Sequence, residues 1–116
     1  MFRKLLVGLN GSETSWQAFR RALALAAEQG GELWAISVEE HLPHFPATVG
    51  ELEDKEEREN ASFTRIQGQA QELAEERNVC LYCRTVPGSA AERIVAFARQ
   101  GGFDLIVVGH RGHTNP

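Results

Sequence analysis

The sequence predicts an α/β fold with a doubly wound parallel sheet, and two observations support this prediction. Four short apolar runs, each bounded by turn residues, are typical of strands buried on both faces. Amphipathic segments with helical spacing separate these runs, so the predicted element order is β-α-β-α-β-α-β. Regular alternation of this kind places helices on both faces of a parallel sheet. We expect the 116 residues to form a single domain.

The first strand is predicted at residues 4–9, KLLVGL, and a turn at residues 10–12 closes it. A helix follows, with Thr14 and Gln17 as its capping box. A glycine pair at 30–31 ends this helix. Its apolar stripe consists of Trp16, Phe19, Leu23 and Ala26.

The second strand is predicted at residues 33–38, LWAISV, and a polar, proline-marked loop follows at 39–50. The second helix begins within the charged run at 51–59 and ends before Asn78. Its apolar stripe consists of Phe63, Ile66, Ala70 and Leu73.

The third strand is predicted at residues 79–86, VCLYCRTV, and its polar residues favour an edge position in the sheet. The third helix starts with a capping box formed by Ser89 and Glu92 and ends at the glycine pair 101–102. The fourth strand, DLIVVG at 104–109, is the most apolar of the four. The stripe of the third helix consists of Ala91, Ile94, Val95 and Ala98.

Composition excludes several classes of protein. Lys and Arg total 12 against 16 Asp and Glu, for a net charge of −4, and the basic residues are scattered among glutamates. Binding to a phosphate backbone needs clustered positive charge, so no nucleic-acid partner is expected. The sequence lacks an apolar run near the roughly 20 residues of a membrane helix, and the N-terminus does not resemble a secretory signal. We therefore expect a cytoplasmic protein without a membrane partner.

The two cysteines, Cys80 and Cys83, have the spacing of a redox motif but lie in a predicted strand. Strand side chains three positions apart point to opposite faces, and zinc would need a second ligand pair. We expect two buried or half-buried thiols in a reducing compartment.

The histidines do not predict a metal site, since no paired cysteine or carboxylate accompanies them. They are His41, His44, His110 and His113. A nucleophile and base formed by Ser12 and His110 is not expected either, because the sequence has no Gly-x-Ser-x-Gly elbow and no evident acid partner.

A ligand site in a doubly wound sheet lies at the carboxyl ends of the strands. The segments to consider are 9–12, 38–40, 86–89 and 109–116. In the last of them, Gly109 and Gly112 lie three positions apart after a strand. This spacing allows backbone N–H groups to approach a phosphate, but it also fits an ordinary turn.

The first strand with its Asn-Gly-Ser turn, the fourth strand reading DLIVVGHRG and the alternation between them resemble the universal stress protein family over the whole chain. The resemblance implies a doubly wound fold, a homodimer and binding of ATP, or of AMP or ADP, with Mg²⁺ where a triphosphate is bound. In nucleotide-binding members a Gly-x-x-Gly precedes, by about nine residues, a Gly-Ser or Gly-Thr.

The resemblance assigns no catalytic residue and no metal ligand. The positions that it assigns to the nucleotide are Leu9, Asn10 and Ser12 at the base and ribose, Val38 at the adenine through its backbone, and Gly109, His110, Arg111 and Gly112 at the ribose and phosphates.

Two departures from the family pattern bear on function. Asn10 stands where nucleotide-binding members commonly carry aspartate. The asparagine has an amide donor in place of the negative charge of the aspartate. The sequence stops at Pro116, so we expect a shortened domain without the Gly-Ser half of the phosphate loop and without a further strand and helix, roughly thirty residues. The fourth strand, residues 105–108, is then expected to be an exposed apolar edge that another chain pairs, which is a second reason to expect a homodimer.

The resulting expectation is a stress-response regulatory module with little or no hydrolysis of the nucleotide, because no obvious general base or acidic Mg²⁺ ligand is present. The alternative is a dimerisation or protein-interaction module that has lost nucleotide binding. The motifs of substrate-adenylylating enzymes with related folds are absent from the sequence.

Overall fold

The computed structural model describes residues 2–39 and 49–109. The element order predicted from the sequence is confirmed, and the predicted strand ends differ from the observed ones by no more than two residues. The elements are β1 (Lys4–Gly8), α1 (Glu13–Gln29), β2 (Glu32–Glu39), α2 (Val49–Glu76), β3 (Leu81–Pro87), α3 (Ala90–Gly101) and β4 (Leu105–Val107).

The four strands form one parallel sheet in the order β3-β2-β1-β4. Val7 of β1 is in register with Ala35 of β2 on one side and with Val107 of β4 on the other. The chain therefore winds outward from β1 in both directions, which confirms the doubly wound topology. The third strand lies at one edge, as predicted, and β4 forms the other edge of the sheet built by the described residues.

Helices cover both faces of the sheet. On one face, α1 and α2 pack against β1 and β2 around Phe19, which is fully buried. On the other face, α3 packs through Ala98 against Leu6 and Ile36. None of the helices in residues 2–39 and 49–109 is long and apolar enough to cross a membrane.

The predicted capping box of α1 is wrong. The N-cap is Ser12, whose hydroxyl accepts a hydrogen bond from the Ser15 backbone N–H at 3.2 Å. Ser12 has an extended backbone, which suits an N-cap, whereas Thr14 already lies within the first turn. The predicted glycine end is confirmed, since Gly30 is left-handed and its N–H donates to the Ala26 carbonyl.

The predicted end of α3 at the glycine pair is confirmed, because Gly102 is a left-handed C-cap whose N–H donates to the Ala98 carbonyl. The capping box and the buried stripe of α3 differ from prediction. Ser89 is the N-cap, but its hydroxyl makes no capping hydrogen bond, so the predicted box with Glu92 is not formed. Ala91 and Val95 are exposed rather than buried. The face of α3 that meets the sheet includes Phe97, because the Phe97 ring packs with the rings of Trp34 and Phe103.

The fourth strand lies at an edge of the described sheet and exposes apolar side chains, as expected. Its edge position leaves Ile106 38% exposed, and Val108, just after the strand, 59% exposed. Asp104 attaches this strand to the start of β1, because one carboxylate oxygen accepts the backbone N–H groups of Arg3 at 2.8 Å and Lys4 at 2.9 Å. These two hydrogen bonds lower the pKa of the Asp104 carboxyl.

Candidate functional site

A cavity of about 370 Å³ opens at the carboxyl ends of β1, β2 and β4, beside the first turns of α1 and α3. It lies where the strand order reverses between β1 and β4, as the topology predicts for a ligand site. Its volume is within the range of small-molecule sites, about 300–1,000 Å³. Of the predicted segments, 86–89 does not line the cavity, whereas Ala90 directly after it does.

The cavity has an apolar side and a polar side. The apolar side consists of Gly8, Leu9, Ile36, Val38, Ile94 and Val108. The polar side consists of Asn10, Ser12, Thr14 and Ser15, all in or just before the first turn of α1. Within the described part of the lining, every side chain is uncharged.

Hydrogen bonds hold the turn between β1 and α1 in one conformation. The Asn10 side-chain oxygen accepts the Ser12 backbone N–H at 2.9 Å, and the Asn10 backbone N–H donates to the Ser15 hydroxyl at 3.3 Å. Gly11 has φ +89°, and a Cβ there would lie 2.8 Å from Cδ1 of Ile66. The Asn-Gly-Ser sequence therefore suits a turn of this shape.

The polar groups of Leu9 are bonded within the protein. Its N–H donates to the Ile36 carbonyl at 2.9 Å, and its carbonyl accepts the Ser37 hydroxyl at 2.7 Å. Leu9 is only 1% exposed, so it contributes to the floor of the cavity. Sequence reasoning missed Ser37 because a serine inside an apolar run gives no signal beyond the strand itself.

The backbone of Val38 faces the cavity side of β2. The backbone of Ile36 forms its hydrogen bond on the β1 side, whereas the backbones of Leu33 and Glu39 form theirs on the β3 side. Alternate residues of β2 therefore direct their N–H and carbonyl groups to opposite neighbouring strands. Val38 shares the orientation of Ile36, but β1 has ended at Gly8 by this level. Among the described residues, no backbone hydrogen bond joins Val38 to the turn that follows β1.

Gly109 packs against the first turn of α1. A Cβ at this position would lie 2.7 Å from the Thr14 carbonyl oxygen and 3.1 Å from the Ser15 nitrogen. The glycine therefore permits close contact between the end of the β4 segment and the helix. The other three residues of the predicted phosphate segment, His110, Arg111 and Gly112, lie outside the described residues.

The two cysteines lie away from the cavity. Cys80 is exposed, contrary to the expectation of burial, because it precedes the edge strand β3, and Cys83 is half-buried. Burial raises the pKa of the Cys83 thiol, and a hydrogen bond with Cys80 is the main cause that raises the pKa of Tyr82. Within the described residues, no group of three His, Cys, Asp or Glu side chains could hold a metal ion.

The histidines at 41, 44 and 113 lie outside the described residues, as does His110. A second concavity of about 350 Å³ lies between α1 and α2 and includes Trp16 and Leu73. None of its lining residues is a predicted site residue.

Comparison with known proteins relates the chain to one family. A model described as the universal stress protein family matches residues 1–116. Universal stress protein YxiE of Bacillus subtilis is 32% identical over an alignment that covers 97% of this chain and 81% of that protein.

Solved structures of the same family have a similar fold. A family member from Burkholderia pseudomallei has a TM-score of 0.80 at 30% identity, with 94% of this chain and 82% of that chain covered. A universal stress protein in complex with cAMP has a TM-score of 0.76 at 25% identity, with 98% and 80% covered.

Proposed function

Since the chain belongs to the universal stress protein family, we propose that its cavity binds an adenine nucleotide and that the protein acts as a nucleotide-responsive regulatory module in the stress response. The observation that carries this proposal is the position of Val38. Its backbone donor and acceptor face the cavity beside apolar side chains, at a level where β1 no longer pairs with β2. A planar base needs an apolar slot with a few directed polar groups, and this arrangement supplies both.

The polar side of the cavity suits the sugar and phosphate. Asn10, Ser12 and Thr14 lie at the N-terminus of α1, where the helix dipole and backbone N–H groups favour a negative charge. The relative solved with cAMP supports an adenine nucleotide as the ligand class. ATP, ADP and AMP remain candidate ligands, with Mg²⁺ accompanying a triphosphate and with His110, Arg111 and Gly112 as predicted phosphate contacts.

We propose little or no hydrolysis of the bound nucleotide. Attack on a γ-phosphate needs a group that positions water and an acidic residue that holds Mg²⁺. The described lining offers hydroxyl and amide groups, which do not supply an anionic metal ligand. Release of phosphate from ATP, measured with the purified protein, is expected to stay at the level of buffer without protein.

Exposed apolar residues at the β4 edge of the described sheet support a homodimer. Ile106 lies on β4 and Val108 directly follows the strand, and both side chains are exposed. This same surface favours the alternative function, a protein-interaction module without nucleotide binding. Light scattering at micromolar concentration tests the dimer, and a monomer would contradict it.

Calorimetric titration with AMP, cAMP and ATP tests nucleotide binding. Val108→Trp is the blocking variant, because Val108 lines the cavity and has room for a larger side chain. Ile106→Trp is the matched control, since it lies two residues earlier on the same face of the segment and does not line the cavity. Saturable binding lost in Val108→Trp and kept in Ile106→Trp is the expected result. Absence of binding by the unaltered protein would favour the interaction module.

A further inference from the structure

The outer side of β3 is an edge at which another strand could pair. In the part of the chain that the structure describes, β3 pairs only with β2. The Leu33 N–H donates to the Cys80 carbonyl, and Leu33 is in register with Leu81. Even-numbered residues of β3 therefore bond to β2, and the backbone groups of residues 81, 83 and 85 point outward.

Two side chains occupy outward carbonyls of this edge. Gln71 of α2 donates to the Leu81 carbonyl through Nε2 at 3.0 Å. Arg84 donates to the Cys83 carbonyl through Nη1 at 2.9 Å, and its guanidinium lies 4.9 Å from the centre of the Trp34 ring. The cation–π contact helps to hold the guanidinium at the edge. Two of the three outward carbonyls are therefore already used by hydrogen bonds within the chain.

We propose that Gln71 and Arg84 close the β3 edge to strand pairing, and that the partner they exclude is β3 of a second copy of this chain. The inference does not rest on the proposed nucleotide site, because none of the residues of β3 lines that cavity. Open edges pair readily with other strands, and proteins commonly cover them. If β3 were open as well as the β4 edge of the described sheet, copies could join at both edges without limit.

The sequence of β3 suits antiparallel pairing with a second copy about a two-fold axis at Cys83. Arg84 is the one charged residue of the strand, and in this register it lies opposite Tyr82 of the second copy and not opposite itself. A cation beside an aromatic ring is favourable, whereas like charges opposite each other repel. Each copy would contribute its three outward carbonyls, so closing two in each copy removes four of the six hydrogen bonds.

The combined variant Gln71→Ala and Arg84→Thr opens the edge. Alanine removes the donor to the Leu81 carbonyl. Threonine is too short to reach the Cys83 carbonyl as arginine does, and it favours a strand. Light scattering at micromolar concentration should show that the mass of the opened variant is at least double that of the unaltered protein.

The matched control combines Gln67→Ala and Arg65→Ala. It removes the same two types of side chain from α2 without opening the edge, because Gln67 donates to the Thr85 hydroxyl at 2.8 Å and not to an outward carbonyl. The mass of this control should equal that of the unaltered protein.

A disulfide across the two-fold axis tests the register of the pairing. With Cys80→Ser in every protein, Cys83 is the remaining cysteine. Residues opposite each other in a hydrogen-bonded antiparallel pair have Cα atoms about 5.5 Å apart, within the roughly 4.4–6.8 Å range of disulfides. Mild oxidation should therefore cross-link the opened variant and leave the unaltered edge and the control uncross-linked.

The other outcomes overturn the proposal in different ways. An opened variant that is folded by circular dichroism and keeps the mass of the unaltered protein shows that Gln71 and Arg84 do not close the edge. If the combined variant does not fold, the two single variants are measured instead, and an unchanged mass in both has the same meaning. A larger mass without the Cys83 cross-link rejects β3 of a second copy as the partner. Cross-linking of the unaltered edge through Cys83 would show that the edge is already open.

Discussion

Substitution of Gly109 by alanine should destabilise the protein through contact with α1. The added Cβ would lie 2.7 Å from the Thr14 carbonyl oxygen, 2.8 Å from the Thr14 carbonyl carbon and 3.1 Å from the Ser15 nitrogen. All three atoms belong to the backbone of the first turn of α1, so no side-chain rotation relieves the contact. The helix or the β4 segment must instead move.

The size of the required movement determines how much the free energy of unfolding falls in Gly109→Ala. Ordinary contacts of a Cβ begin near 3.4 Å, so the two segments must separate by about 0.7 Å. Insertion of a methyl group into a packed contact of this kind costs about 1–3 kcal/mol. With an m-value of about 2 kcal/mol/M, a loss of about 2 kcal/mol lowers the urea midpoint by about 1 M.

Urea unfolding of Gly109→Ala beside Gly68→Ala measures this effect. Gly68 lies within α2, and a Cβ there meets nothing within 4 Å, so the control should gain about 0.5–1 kcal/mol from the higher helix propensity of alanine. A Gly109→Ala midpoint equal to or above that of the unaltered protein would refute the packing role. If the role is correct, weaker nucleotide binding in Gly109 variants cannot be attributed to a lost ligand contact.

Two further predictions concern the ends of the strands. Ser37→Ala removes a buried hydroxyl that donates to the Leu9 carbonyl, so urea unfolding should show that the free energy of unfolding falls by about 1–2 kcal/mol. Ser89→Ala is the control and should change stability much less, because the Ser89 hydroxyl makes no capping hydrogen bond. Asp104→Asn should lower stability near neutral pH, because the pKa of the Asp104 carboxyl is lowered by folding. The advantage of the unaltered protein should shrink as the pH falls below about 4 and vanish below the folded-state pKa. A difference that is independent of pH across this interval would contradict the carboxylate's role.

Much of the fold could be predicted because local periodicity reflects burial. Apolar runs identified the four strands, and glycine at position 30 identified the end of α1. The cap of α1 was misplaced by two residues because Ser12 and Thr14 are both acceptable N-caps in sequence. Only the backbone conformation distinguishes them.

The candidate site could be predicted in position but not in detail. Topology placed it at the carboxyl ends of the strands, and the cavity lies there. The contact of Gly109 with Thr14 joins segments that are far apart in the chain, and no local pattern encodes it. The hydrogen bond from Ser37 to Leu9 is equally nonlocal, since it spans 28 residues.

Binding of a nucleotide in the cavity can be tested by a titration of ¹⁵N-labelled protein with AMP, followed by two-dimensional NMR. We expect the backbone amide of Val38 and the side-chain amide of Asn10, which both line the cavity, to shift progressively and to saturate together. The indole N–H of Trp16, in the concavity between α1 and α2, should stay in place. Saturable shifts centred on Trp16, or an unchanged Val38 amide at saturating AMP, would contradict nucleotide binding in the cavity at the ends of β1, β2 and β4.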